Sequence, residues 1–268
     1  MAKKITEKNR ELFSSQIQPY QEKIDEIFET EKSTLEHIAK DPTGEACKRV
    51  FLAEDMIYVA TLYVLINNLS VEILSVKNTD ALNEGRKILY KAIIYLEEAV
   101  SNFIDVPYSD YEDKVAQIAE IPLVKRYELT RKLGLAIRLV IDAYGENTKW
   151  RWAFVELQGR FATVVKNMLD MKTCVKIHFD PYSPDHDTAV HYLRLLKKLL
   201  SESATGYRDR YELSARRLDD MQLGVSYLYA LRRVHIALSE SEEAEEVKKK
   251  ADVWKAKLDS DQKRGFST

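Results

Sequence analysis

Apolar residues recur along this chain at three- and four-residue intervals almost from end to end, the period of an amphipathic helix and not the alternation of a strand. From about Thr6 to Lys40 they are sparse. Ile5, Leu12, Ile17 and Ile24 predict a helix with a thin contact stripe, interrupted near Pro19, whose ring removes a backbone donor and crowds the preceding turn. Asp41-Pro42-Thr43-Gly44 is a break. Residues 45–76 are then apolar on every side, through Val50, Phe51, Leu52, Met56, Ile57, Val59, Leu62, Val64, Leu65, Ile66 and Leu69. A helix hydrophobic all round is a buried one, so this stretch predicts the central helix, with Leu62 and Leu65 in the core.

Thr79 reads as the N-cap of a helix reaching about Ile104, and Ser109-x-x-Glu112 has the spacing of a capping box opening a short one. Pro122 suits the first turn of a helix to about Tyr144. The next helix, Trp150 to about Lys172, has the seam Trp150, Phe154, Leu157, Phe161, Val164, Met168. Residues 174–184 read as one long non-helical stretch, its Val175/Ile177/Phe179 alternation suggesting an extended piece. Ser183 would cap a helix from Asp185 to about Ser201. A long helix from Tyr207 to Leu238 follows, with Tyr207, Tyr211, Ser214, Leu218, Met221, Val225 and Leu228 spaced 4 and 3 apart, and a last one from about Ser241 to Leu258.

These elements predict an all-α fold, an irregular bundle of about seven to nine long helices around the apolar helix at 45–76. The organisation expected is an N-terminal helical arm (1–42), a bundle core (43–240) and a C-terminal amphipathic helix (241–268), within one domain. Composition agrees. Glycine and proline together number 14 of 268 residues, whereas average usage would give about 12% of the chain, so the turns of a β-rich fold could not be built. A tetratricopeptide array is excluded, because the Trp-x-x-Leu-Gly-x-x-Tyr pattern is absent and the helices are about twice too long.

Charge changes little. A net charge of −2 at 31% charged residues implies neither a nucleic acid nor an acidic membrane as partner. Cys47 and Cys174 stand far apart with no C-x-x-C spacing, which suits a reducing compartment. Met1 to Lys8 carries charge where a secretory leader needs an apolar core. The longest uncharged run, between Asp55 and Glu72, contains Asn67, Asn68 and Ser70 and falls short of the ~20 mainly apolar residues of a membrane span. Cytoplasmic placement, with no membrane partner, is the expectation.

Three places could carry chemistry or contacts. Three of the five histidines, His178, His186 and His191, lie close together in sequence with Asp187, and imidazole with carboxylate is the ligand chemistry of zinc, manganese or iron. That motivates the reading of a metal-dependent hydrolase or metal-binding bundle with its site at 178–191. The competing reading is helix capping, with Pro184 in the first turn and Asp185 and Asp187 complementing the dipole. Second, the Arg/Tyr mixture at 207–217 could hold nucleic acid, but interleaved Asp209, Glu212, Asp219 and Asp220 favour a salt-bridged, solvated face. Third, the C-terminal helix carries the stripe Ala244, Val247, Ala251, Trp254, Leu258, which suits a groove in this chain or in a partner.

No Glu-x-x-His pair of a di-metal bundle, Gly-x-Ser-x-Gly elbow or phosphate loop is present, and no cofactor is expected. The function expected is therefore a non-enzymatic helical adaptor or assembly subunit. It would dock another protein or a second copy of itself, with Val247, Ala251, Trp254 and Leu258 as the partner-binding residues.

Overall fold

The computed structural model describes residues 5–146 and 148–265. Among these the protein is all α: ten α-helices and one 3-10 turn, with no strand. The helices are α1 (Glu7–Lys40), α2 (Glu45–Leu74), α3 (Thr79–Ala99), α4 (Glu112–Ala116), α5 (Leu123–Tyr144), α6 (Arg151–Asn167), α7 (Met171–His178), α8 (His186–Leu213), α9 (Leu218–Ala237) and α10 (Ser241–Lys263). They form two compact units, residues 1–99 with 129–148, and residues 100–128 with 149–268. This partition follows packing and not the composition breaks at 42 and 240.

In the first unit α2 packs against both α1 and α3. Its Ala53, Met56, Val59 and Ala60 are sealed from solvent. One strip of α2 faces outward, with Phe51 56% exposed and Leu65 only half-buried, so Leu62 lies in the core and Leu65 does not. By length and hydropathy alone α2 could cross a membrane, beyond what its longest uncharged run suggested; 44% of its most apolar window is buried in the fold. α1 continues straight through Pro19, which sits on the exposed side where solvent can meet the freed carbonyl, while Ile17, Ile24 and Ile27 hold the helix down. The α2–α3 turn is fixed by two asparagines. Asn67 Oδ1 accepts from the Asn78 N–H (3.0 Å), and Asn78 Oδ1 accepts from the Ala81 N–H (3.0 Å), so Asn78 and not Thr79 caps α3. Gly85 allows close approach of α3 to α2, since a Cβ there would lie 3.3 Å from Tyr63 Cβ.

In the second unit α8 packs on α6, α7 and α9, and α9 on α10. The 4,3 seam expected in one helix from Tyr207 to Leu238 is shared by two. α8 ends at Leu213 and α9 begins at Leu218, with Arg216 at φ 54° in the turn and an Arg210–Asp220 ion pair bridging it. The period carried through because both helices bury a face. Residues 171–178 are helical, not extended. Asp170 caps α7 by accepting from the Thr173 N–H (3.1 Å), and Cys174 is buried. The N-cap of α8 is Asp185, which makes no side-chain cap bond, so Ser183 does not take that role. The capping box at Ser109/Glu112 does not form either; Ser109 Oγ donates to Asp110 instead. Arg126 ties three turns together, donating to the carbonyls of Ile121 (2.8 Å), Met168 (2.9 Å) and Ile118 (2.6 Å).

Candidate docking groove

Two ties set α1 against its neighbours. Near one end Asn9 Nδ2 donates to the Ile73 carbonyl of α2 (3.3 Å). Farther along, buried Glu31 accepts from Lys91 Nζ and from the Tyr95 hydroxyl of α3. Burial first, then the carboxylate of Glu31, pushes the Tyr95 phenol well above its usual range, so the phenol stays a donor. Between the ties a cavity of about 580 Å³ opens over α2, within the ~300–1,000 Å³ common for ligand sites. Its floor is apolar: Ile17 and Ile24 from α1, Ile66 and the Tyr63 ring from α2, Ala81 from α3. Its rim is polar, with Gln21 and Asp25 on α1, and Asn78, Asp80 and Glu84 on the α3 side.

The rim is acidic on both edges. Asp25 and Asp80 are exposed and Glu84 is half-buried, pairing with the exposed Lys87 (2.7 Å). The Tyr63 phenol is raised by burial and then by the charges of Glu84 and Asp25, one from each edge. The arrangement offers a depression between carboxylates whose apolar floor is itself almost wholly buried.

The residues singled out by sequence lie in the second unit. His178 and His186 do meet, with ring centroids 6.5 Å apart, and His178 also lies edge-on to Phe179. His186 Nδ1 is on the Ile177 carbonyl (3.2 Å), and His191 Nδ1 is on the Asp187 main-chain oxygen (2.6 Å). His178, His186, Asp187 and His191 are thus not gathered into one ligand set: among the described residues no three His, Cys, Asp or Glu side chains converge as metal ligands. In the 207–217 face Tyr207 and Tyr211 are buried, and Arg208 and Arg210 pair with Glu212 and Asp220, which leaves those rings no base to stack on. In α10, Ala244, Ala251 and Trp254 are buried and Val247 and Leu258 half-buried. The Trp254 ring reaches α9, where a Cβ on Gly224 would lie 3.4 Å from it, and Arg208 and Lys250 stand over its faces. Tyr211 donates to Asp261 (2.5 Å). The stripe expected to bind a partner is filled by the chain's own α8 and α9.

The sequence profile of the TP0443 family matches residues 9–262. The chain belongs to the TP0443 family. No curated protein and no solved structure matches it.

One further group in this TP0443-family chain escaped the sequence reading. Lys166, at the end of α6, is 3% exposed. Its Nζ donates to Asn167 Oδ1 (2.9 Å) and lies 4.2 Å from the centre of the Tyr111 ring. Asn167 Nδ2 in turn donates to the carbonyls of Ser101 (2.9 Å) and Phe103 (3.1 Å). Burial, and then the guanidinium of Arg233, lower the Lys166 pKa to about 7 against the opposing pull of Asp105. The cluster fastens the segment 101–111 to α6. Its one sequence signal was a lysine inside the apolar run Val164-Val165-Lys166-Asn167-Met168-Leu169.

Proposed function

We propose that this TP0443-family protein is a non-enzymatic helical adaptor or assembly subunit, and that the groove between α1 and α3 takes a segment of another protein. The observation that carries the reading is the groove itself: a cavity of about 580 Å³ set between α1 and α3 over α2, beneath a polar rim with carboxylates on both edges. A concave pocket of this size is the default reading of a binding site. The stripe of α10, the contact feature singled out from sequence, packs its Ala244, Ala251 and Trp254 within the second unit.

A reducing compartment such as the cytoplasm fits this role. Cys47 and Cys174 are buried and neither is in a disulfide, and burial pushes the Cys174 thiol up to about 12, so it packs as an apolar side chain. The test places a photo-crosslinking residue at Gln21 on the rim and, as control, at exposed Lys249 on α10. A discrete adduct in native lysate from position 21 alone, abolished by Asp80→Arg on the exposed opposite rim with the melting curve unchanged, is the expected result. Equal adducts at both positions, or an adduct indifferent to Asp80→Arg, would overturn it. An adduct at twice the chain's mass identifies a second copy as occupant.

A further inference from the structure

We infer that two copies of this chain pair face to face across α2 and α5, through an exposed apolar strip with an acidic edge on one side and a basic edge on the other. The inference uses a different side of α2 from the groove and does not rest on it. From Leu129 onward α5 belongs to the first unit. Its Lys132 pairs with Glu54 of α2, and a Cβ on Gly85 of α3 would meet both Val140 of α5 (3.9 Å) and Tyr63 of α2 (3.3 Å). Residues 132 and 140 of α5 therefore stand level with 54 and 63 of α2, and the two helices run side by side in the same direction.

On α2 the outward positions next to Glu54 are Phe51, Tyr58 and Leu65; on α5 those next to Lys132 are Leu135 and Leu139. These side chains are open to solvent: Tyr58 is 49% exposed, Leu135 60% and Leu139 37%, with Phe51 as exposed as they are. From Phe51 to Leu65 the strip is about 21 Å long at a rise of 1.5 Å per residue, and it is two helices wide. Two parallel helices make a flat, ridged surface that a second helix pair can cover, whereas a single helix would cover one row of the two. The Lys132–Glu54 pair closes the seam, so burying the strip leaves that charge compensated.

Charge selects a second copy as the occupant. On its α1 side the strip ends at Asp55, whose opposing charge, Lys23, is shared with Glu26 (2.8 Å). Burial, and then the charge of Glu54, raise the Asp55 carboxyl against the pull of Lys23, so this carboxylate is short of cations. On its far side the strip ends at the exposed Arg131 and Arg138, the latter in a loose pair with Asp142 (3.8 Å). A half-turn about an axis along the α2–α5 seam lays α5 of one copy on α2 of the other. Arg131 and Arg138, which bracket the level of Asp55, then face the acidic edge, and symmetry repeats the contact. An anionic lipid surface would instead meet Asp55 and Glu54 with like charge. A face roughly 20 Å across is at the low end of specific interfaces, so dissociation on the order of micromolar is expected.

Sedimentation velocity of the full-length protein across a dilution series tests the pairing, and a monomer–dimer equilibrium is the expected result. Leu135→Asp, with the melting curve of a dilute sample unchanged, should weaken the dimer at least tenfold. Asp55→Lys and Arg138→Glu should each weaken it about threefold or more, because each change occurs twice in the pair. The two together exchange the edges and should restore most of the loss. Asp80→Arg, on the rim of the groove, should leave the dimer intact. A monomer at every concentration overturns the inference, and flotation of that monomer with phosphatidylcholine vesicles would assign the strip to a membrane. A dimer indifferent to Leu135→Asp, or losses that add in the Asp55→Lys/Arg138→Glu variant, overturns this face. A dimer lost in Asp80→Arg and kept in Leu135→Asp moves the second copy into the groove, which overturns the inference and leaves the docking proposal standing.

Discussion

Replacing Lys166 with methionine should change how stability depends on pH more than stability itself. In the folded chain the ammonium is buried beside Tyr111 and Asn167, with the Arg233 guanidinium repelling it and Asp105 opposing that repulsion, and its pKa drops from 10.5 to about 7. Unfolded, it titrates near its ordinary value. Between pH 7 and 10.5 the unfolded chain therefore holds one more proton than the folded chain. Raising the pH through that window strips the unfolded state of its advantage, so Lys166 makes the folded state gain stability as pH rises, by about 1 kcal/mol per pH unit. Below pH 7 both states are protonated and the contribution is flat.

Methionine fills the same volume and does not titrate. Its fixed cost is the donor lost to Asn167 Oδ1, about 1–3 kcal/mol. Its gain at pH 6–7 is release from burying a charge. Urea denaturation read by tryptophan fluorescence isolates the second unit, because Trp150, Trp152 and Trp254 all lie there. The stability of the parent minus that of Lys166→Met should climb by about 1–2 kcal/mol between pH 7 and pH 9 and stay level from pH 6 to 7. Arg233→Gln, by removing the repelling guanidinium and freeing Asp105, should move the onset of the climb upward. Parallel stability curves for parent and variant from pH 6 to 9 would refute the argument, since they would mean that Lys166 holds its proton equally in both states.

Other substitutions probe packing. Gly159→Ala places a Cβ 2.6 Å from the Tyr207 ring, which is stacked on Tyr227 with centroids 5.5 Å apart; a loss of about 1–3 kcal/mol is expected, and a neutral result would show that the stack yields freely. Trp254→Ala should cost about 3–5 kcal/mol and lower the melting temperature without altering sedimentation, because its groove is intramolecular. Loss of assembly with unchanged melting would contradict that. Met56→Ala, at a sealed position, should cost about 2–5 kcal/mol, whereas half-buried Leu65→Ala should cost clearly less when both are measured by denaturant titration. Equal losses would place Leu65 in the core after all.

What the sequence determined by itself is the helical nature of nearly every segment and the face each helix buries. Ile17 and Ile24 on α1, Tyr207 and Tyr211 on α8, and Ala251 and Trp254 on α10 were all readable, because helical period is a local property of backbone geometry. Local signals failed where tertiary contacts outvoted them. Pro19 does not break α1 because buried isoleucines on either side hold it. The turn at 214–217 has neither glycine nor proline, and is closed by Arg210 reaching Asp220. The groove was beyond sequence for a related reason. Its isoleucines on α1 were visible as a stripe, but Tyr63, Asp25, Asp80 and Glu84 look like ordinary helix positions until α1 and α3 are set on either side of α2. Lys166 likewise takes its depressed pKa from burial and from Arg233 on another helix. Which residues form helices is settled within a few turns of chain; which faces meet, and so which charges and slots exist, depends on packing between segments distant in sequence.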